Sequence, residues 1–147
     1  MIKLKDILVE LKEVMNYQFQ QEDVDFDEMD NSLLGVTYTF KTPNNQYRVE
    51  LYSGEYNPED MKFDLSFGLD KGPGYKLDTF QMTGEGNVRT ILNTIGQIIQ
   101  DFLEEYPDVE TIIVKGTDDK RTRVYKALLP KYLSNHIRSK VHIEWLN

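Results

Sequence analysis

A chain of 147 residues with 39% hydrophobic residues is long enough to bury the core of one domain, residues 1–147, and too apolar to be disordered. Its lack of cysteine excludes disulfides, thiolate metal sites and cysteine nucleophiles, and no apolar run approaches the roughly 18 residues of a membrane helix. Its net charge of −8 argues against nucleic acid as a partner and permits a basic protein partner, while the oligomeric state stays open.

The N-terminal segment, residues 1–15, predicts an amphipathic helix. Apolar residues recur three and four positions apart, from Leu4 through Leu8 to Leu11, with charged residues between them. A signal peptide would instead have a continuous apolar stretch and a small-residue cleavage site. We therefore expect a cytoplasmic protein.

An acidic stretch follows at residues 22–30, where six of nine residues are Asp or Glu. The spacing of its aspartates is similar to the start of a calcium-binding loop. However, Glu28 stands where that loop requires glycine, and Leu34 stands where it requires glutamate. We therefore predict no metal site, and we interpret the stretch as a solvated linker between the first helix and the sheet.

Three runs with alternating apolar and polar residues come next, at residues 34–40, 47–52 and 61–67. Turn-forming residues, including Thr42-Pro43-Asn44-Asn45, separate them. Period-two alternation with turns between the runs predicts an antiparallel meander that has one face exposed to water. We predict a fourth strand at residues 75–82.

The longest amphipathic pattern covers residues 87–106 and predicts a helix that packs on a core. Pro107 ends it, since proline has no N–H and pushes the preceding residue towards extended geometry. The β-branched run at residues 111–114 predicts a short strand buried on both faces. We expect this strand to lie parallel to the 75–82 strand in a β-α-β unit. Gly96, inside the helix, indicates a close approach to the sheet.

A shorter helix around Val124 and Leu128 and a last strand at residues 141–146 complete the predicted elements. Their order is α-β-β-β-β-α-β-α-β. A meander followed by a parallel crossover predicts an α+β domain with a mixed, mostly antiparallel sheet and packed helices.

The glycine turn before the long helix is the best candidate for a binding site. Gly84 and Gly86 permit close approach of a ligand to the backbone, and the N–H groups of a first helical turn attract anions. The same glycines also suit a tight turn with no ligand, and this alternative stays open. The stretch does not match the dinucleotide-binding motif GxGxxG, because residue 89 is Arg, and it contains no Walker loop.

The stretch Gln81-Met82-Thr83-Gly84-Glu85-Gly86 resembles the pyrophosphate-binding motif R/Q-x-x-G-x-G/A of the GNAT superfamily of acyl-CoA N-acyltransferases. In that family the motif joins the fourth strand to a long helix. A strand, a helix that carries a tyrosine near the thiol, and further strands follow. The predicted elements at residues 75–146 have the same order. The resemblance implies a GNAT-like fold with acetyl-CoA or another acyl-CoA as cofactor.

The resemblance also implies roles for individual residues. The CoA pyrophosphate would lie on the loop and helix start, and the acyl group would reach the splayed ends of the two central strands. Tyr125 would protonate the departing thiolate, while Asp78 or Glu50 would accept the amine proton. The cofactor-binding residues implied are Gln81, Gly84, Gly86, Asn87 and Val88.

A non-catalytic function is the alternative. The stretch TGEGN followed by R-x-x-x-Y is similar to small uncharacterised proteins of tailed bacteriophages. Such a protein would work in the host cytoplasm by binding a basic host or phage protein through its acidic surface. On this interpretation Tyr125, which shares the apolar spacing of Val124 and Leu128, packs in the core.

Overall fold

The computed structural model describes residues 16–54, 56–72, 88–116 and 119–145. In these ranges six strands form one sheet, in the spatial order β1-β2-β3-β4-β5-β6. The elements are β1 (Phe19–Phe26), β2 (Leu33–Lys41), β3 (Gln46–Tyr52), β4 (Lys62–Leu69), α1 (Val88–Glu105), β5 (Thr111–Gly116), α2 (Asp119–Leu128), α3 (Asn135–Arg138) and β6 (Val141–Trp145).

The sheet is mixed and mostly antiparallel. Strands β1, β2, β3 and β4 pair antiparallel with one another in this order, whereas β5 pairs parallel with both β4 and β6. The short connections between β1 and β4 suit antiparallel neighbours, and helical connections are what parallel neighbours require. The predicted α+β class with a mixed, mostly antiparallel sheet is therefore confirmed.

One face of the sheet and the helix α1 enclose the core. Alternate residues of β2, β3 and β4 point to this face and are buried, as period-two strands require. The apolar side of α1 lies against them, and the Phe102 ring meets Phe63 edge-on at 5.3 Å between centroids. The hydroxyl of Tyr38 in β2 donates to Asp101 Oδ2 of α1 at 3.1 Å. These contacts fix α1 across the sheet.

The prediction that the acidic stretch is a linker is wrong. Residues 22–26 belong to an edge strand, and residues 27–30 form the turn that follows it. Residues 19–26 form β1, which pairs with β2 through two register shifts, at Gln21/Asp23 and Asp25/Phe26. Each shift breaks the alternation, so the apolar residues no longer fall at every second position. Most β1 side chains are exposed. The segment therefore has the polar composition typical of a linker, although its backbone forms a strand.

The position of β5 also differs from the prediction. Its two neighbours are residues 62–65 of β4 and residues 141–145 of β6. The predicted pairing of residues 111–114 with a strand at residues 75–82 is therefore wrong, since β4 and β6 take both sides of β5. Residues 75–82 themselves lie outside the described residues. Residues 112–114 are nevertheless buried on both faces as predicted, since Ile112, Ile113 and Val114 are at most 8% exposed, while Thr111 is half-buried. The predicted first helix, residues 1–15, lies outside the described residues.

Gly96 marks a close approach, but to a different element from the one we predicted. A Cβ atom there would lie 3.0 Å from Tyr132 Cβ and 3.1 Å from the Tyr132 carbonyl oxygen. Tyr132 belongs to the 3-10 turn Leu129–Tyr132, which packs on α1. The helix lacks a side chain at this position because the turn, not the sheet, lies against it.

We predict that Gly96→Ala destabilises the domain although alanine is the better helix former. Overpacking costs about 1–3 kcal/mol, whereas the gain in helix propensity is about 1 kcal/mol. The free energy of unfolding in urea should therefore fall by up to about 2 kcal/mol. Gln97→Ala, one residue along the same helix and half-buried, is the control and should change it by less than about 0.5 kcal/mol. A more stable Gly96→Ala variant would contradict the close packing.

Candidate functional site

The sheet divides between its two central parallel strands. Strands β4 and β5 pair only from Lys62↔Thr111 to Leu65↔Val114. Beyond that point β4 continues to Leu69 beside β3, and β5 continues to Gly116 beside β6. The carboxyl ends of the two strands therefore separate. In open sheets with parallel strands, a crevice outside the carboxyl ends is the usual place for a ligand.

Tyr125 of α2 lies at this division. Its ring packs against Phe67 with the centroids 5.4 Å apart, and Phe67 is in the part of β4 that has left β5. Tyr125 is 4% exposed and belongs to the core cluster. The structure therefore places this predicted residue both in the core and beside the gap, so the two sequence interpretations of it are compatible.

The first described residue of α1, Val88, is half-buried and packs against the core. Because α1 leads from the end of β4 to the start of β5, its first turn lies at the end of the sheet where the strands separate. The other predicted site residues lie outside the described residues. They are Asp78, Gln81, Gly84, Gly86 and Asn87.

Glu50, the second candidate for the proton acceptor, lies on the wrong face of the sheet. Its neighbours Val49 and Leu51 point into the core and are fully buried, so Glu50 points to the opposite face. There its Oε1 lies 3.0 Å from Nε of Arg48 in an ion pair. Tyr125 packs on the core face, and the structure does not bring these two residues together.

The open face of the sheet, opposite the helices, has a second group of charges that sequence reasoning missed. Lys115 Nζ donates to Asp64 Oδ2 at 3.1 Å, and the hydroxyl of Tyr56 donates to Asp64 Oδ1 at 3.0 Å. The hydrogen bond to Asp64 raises the pKa of Lys115, and partial burial and the same carboxylate raise the pKa of Tyr56. The two donors satisfy Asp64, which makes this a structural group. The alternation of apolar and polar residues in β4 and β5 could have predicted that Asp64 and Lys115 lie on the same face. It could not have predicted the register that brings them into contact.

A cleft of about 490 Å³ lies at the same end of the sheet as the divided strands, but beside β1 and β2. Its lining is mostly polar, and β2 is two strands away from β4. It is therefore separate from the gap at Tyr125. The lining residues are Gln18, Phe19, Gln20, Glu22, Thr39, Phe40, Lys41 and Gln46.

Most of the acidic stretch lies on the β1 edge, at the end of the sheet opposite to the divided strands, and Glu22 also lines the cleft. Within the described part of the chain, no Lys, Arg or His lies within ion-pair distance of any of its six carboxylates. Some accept hydrogen bonds from neutral groups, such as the hydroxyls of Thr39 and Tyr52. No cation of the described ranges therefore compensates their negative charge by an ion pair.

The described ranges contain no cluster of three or more metal-ligating side chains. In the same ranges no helix is both long and apolar enough to cross a membrane.

The fold and this geometry define a two-layer α+β domain whose mixed sheet divides between two parallel strands. Residues 38–146 match the model of a family of unknown function (DUF6934). The match covers well over half of the chain, and the chain belongs to this family. It begins inside β2, so β1 and the acidic stretch precede the matched residues. No curated protein and no solved structure matches the chain.

We predict that the domain loses stability at alkaline pH. Burial and the charge of Asp101 raise the pKa of Tyr38, and the pKa values of Tyr52, Tyr56, Tyr106 and Lys115 are raised too. Above about pH 10 the unfolded chain therefore binds fewer protons than the folded one, and the free energy of unfolding falls as pH rises.

Tyr38→Phe tests the largest contribution to this pH dependence. Removing one such group should reduce the slope above about pH 10 by up to about 1.4 kcal/mol per pH unit. Denaturant unfolding of both proteins at a series of pH values measures it. Equal slopes would mean that burial and Asp101 do not raise the pKa of Tyr38.

Proposed function

We propose that this domain binds an acyl-CoA where β4 and β5 separate and transfers the acyl group to an amine. The observation that carries the proposal is the division of the sheet after Leu65 and Val114. It supplies the splayed strand ends that the resemblance to GNAT enzymes requires. The helix α1, which follows the Q-x-x-G-x-G stretch, begins at the same end.

The loop and the first turn of α1 supply the cofactor-binding part of the proposal. The pyrophosphate lies on the amides of Gly84, Gly86, Asn87 and Val88, because the first N–H groups of a helix have no partner inside the helix. The positive end of the helix dipole favours the same charge. Gln81 precedes the two glycines, as in the family motif.

The transfer step needs one acid and one base. The amine attacks the thioester carbonyl, the carbon–nitrogen bond forms, and the carbon–sulfur bond breaks. Tyr125 gives its proton to the departing thiolate, and Asp78 takes a proton from the amine, directly or through water. Acyl-CoA is a cytoplasmic metabolite, and the cytoplasm is the compartment that this proposal requires.

Calorimetry with acetyl-CoA and desulfo-CoA tests cofactor binding. The wild type should release heat with both ligands, and Gly86→Trp should release none, because an indole would fill the space of the pyrophosphate. Circular dichroism checks that the variant is folded. If folded wild-type protein gives no heat at millimolar ligand, the proposal is wrong.

The variant Tyr125→Phe distinguishes the acyl-transfer step from cofactor binding. Loss of a general acid lowers kcat by about 100-fold or more, whereas the heat of desulfo-CoA binding should stay the same. The control is Tyr106→Phe, because Tyr106 follows α1 at the far end of the sheet. Activity would be followed as thiol release with a panel of amines, and an unchanged kcat in Tyr125→Phe would remove the acid role.

The uncompensated carboxylates favour a second function, the binding of a basic protein of the host or of a phage. A surface with six carboxylates and, among the described residues, no cation at ion-pair distance attracts a basic patch over about 10 Å and repels nucleic acid. This function does not need the divided sheet, and acyl-CoA binding does not need the acidic strand.

Replacing Asp23, Asp25 and Asp27 by Asn tests this second function. A pull-down from bacterial lysate at low salt should retain a basic protein with the wild type and lose it with this variant. The matched control removes the same charge from the exposed residues Glu59, Asp60 and Asp108 and should retain the protein. Equal retention by both variants would mean that net charge alone is responsible.

A further inference from the structure

Among the described residues the sheet has two edge strands, β1 and β6, and they differ in regularity. Strand β1 pairs with β2 through two register shifts and carries much of the acidic stretch. Register shifts and like charges are common protections of a sheet edge against pairing with another strand. Strand β6 pairs with β5 residue by residue from Val141 to Trp145 without a shift, and it contains no Pro or Lys. It therefore lacks these protections.

The outer side of β6 presents a row of backbone groups. The N–H of Ile112 in β5 donates to the carbonyl oxygen of Lys140 at 2.8 Å, which sets the phase of the parallel ladder. Bonding residues alternate along such a ladder, so the backbone groups of residues 141, 143 and 145 point away from β5. In the described ranges no strand lies on that side of β6.

The lysine directly before β6 does not guard this edge. Lys140 Nζ donates to the carbonyl oxygens of Pro107 and Val109, at 3.2 Å and 2.9 Å. Both acceptors lie in the connection that leads into β5. The ammonium group is therefore drawn towards the start of β5 and does not stand at the outer edge, where a lysine would repel a second strand.

The side chains of β6 differ between the two faces of the sheet. Glu144 is the register partner of Lys115, whose ion pair lies on the open face, so His142 and Glu144 both lie on that face, and both are exposed. Val141 and Ile143 are half-buried on the other face and pack against the core. One face of this edge therefore offers a hydrogen-bond donor and an acceptor, and the other face is apolar.

A second copy of β6 complements this edge in one register. An antiparallel copy whose helices lie on the same side of the sheet places residues of the same face opposite each other. With Ile143 opposite the same residue of the second copy, all five residues of β6 pair, and His142 lies opposite Glu144 twice. The next register in either direction pairs fewer residues. It would also place His142 opposite His142, or Glu144 opposite Glu144, and like charges opposite each other are unfavourable.

We propose that the protein forms a dimer in which two copies of β6 pair antiparallel about a twofold axis at Ile143. The two six-stranded sheets then become one. The contact is isologous, because the same residues serve both sides. Backbone hydrogen bonds join the strands, the two contacts between His142 and Glu144 fix the register, and Val141 and Ile143 continue the apolar layer across the axis. This inference goes beyond both proposed functions and uses none of their residues.

Sedimentation equilibrium from about 1 to about 100 μM protein measures the dimer, at about 0.15 M salt, which screens the net charge of −8 beyond about 8 Å. His142→Glu and Glu144→His each place two like groups opposite each other at both contacts. Each should weaken the dimer about tenfold. The double variant His142→Glu/Glu144→His restores the opposite pairs and should recover the wild-type dissociation constant. The control Glu59→His changes an exposed residue outside the sheet and should have no effect.

Hydrogen exchange of the wild type tests the same contact without a substitution. The amides of residues 141, 143 and 145 should exchange more slowly at high than at low protein concentration, and equal rates would overturn the proposal. A wild type that stays monomeric over the whole range would also overturn it, even if a strand of another protein pairs with β6. So would a dimer that the single variants do not weaken or the double variant does not recover, since the copies would then pair elsewhere or in another register.

Discussion

The packing of α1 on the sheet is the contact on which the rest of the structure depends. This helix buries six large apolar side chains completely, and through them it links β4 to β5 across one face. A helical crossover on one face makes its two strands parallel. The parallel pair then sits between an antiparallel meander and a second crossover. The antiparallel and the parallel parts of the sheet meet at β4, and the strands separate between β4 and β5.

The two faces of the sheet present different kinds of side chain. The core face is fully apolar apart from hydroxyls such as that of Tyr38, which reaches Asp101 at its margin. The open face balances its charges in pairs, as Asp64 and Lys115 do across the central boundary. Such half-exposed pairs add little stability, but they compensate charge where the strands meet. Only at the β1 edge does the described part of the open face leave carboxylates without cations.

The two candidate sites are therefore at opposite ends of one sheet. The divided strand ends and Tyr125 lie where β4 and β5 finish, whereas most of the acidic stretch lies where β3 finishes and β4 begins. The first is inside the residues that match the family, and the second precedes them. A domain of this kind can combine a ligand site in its core architecture with a partner surface on an added edge strand, because neither site shares a side chain with the other.

The sequence by itself determined the elements whose apolar spacing is regular: β2, β3, β4, α1, β5, α2 and β6, and with them the α+β class. It did not determine β1, because two register shifts break the period that identifies a strand. It also did not determine the neighbours of β5, because the period of a strand does not show which strand pairs with it. Gly96 shows the same limit, since its spacing indicated a close contact but not with which element. The strand division at Tyr125 arises from register between distant segments. Only tertiary structure decides that register, because it follows from how all the buried faces fit together.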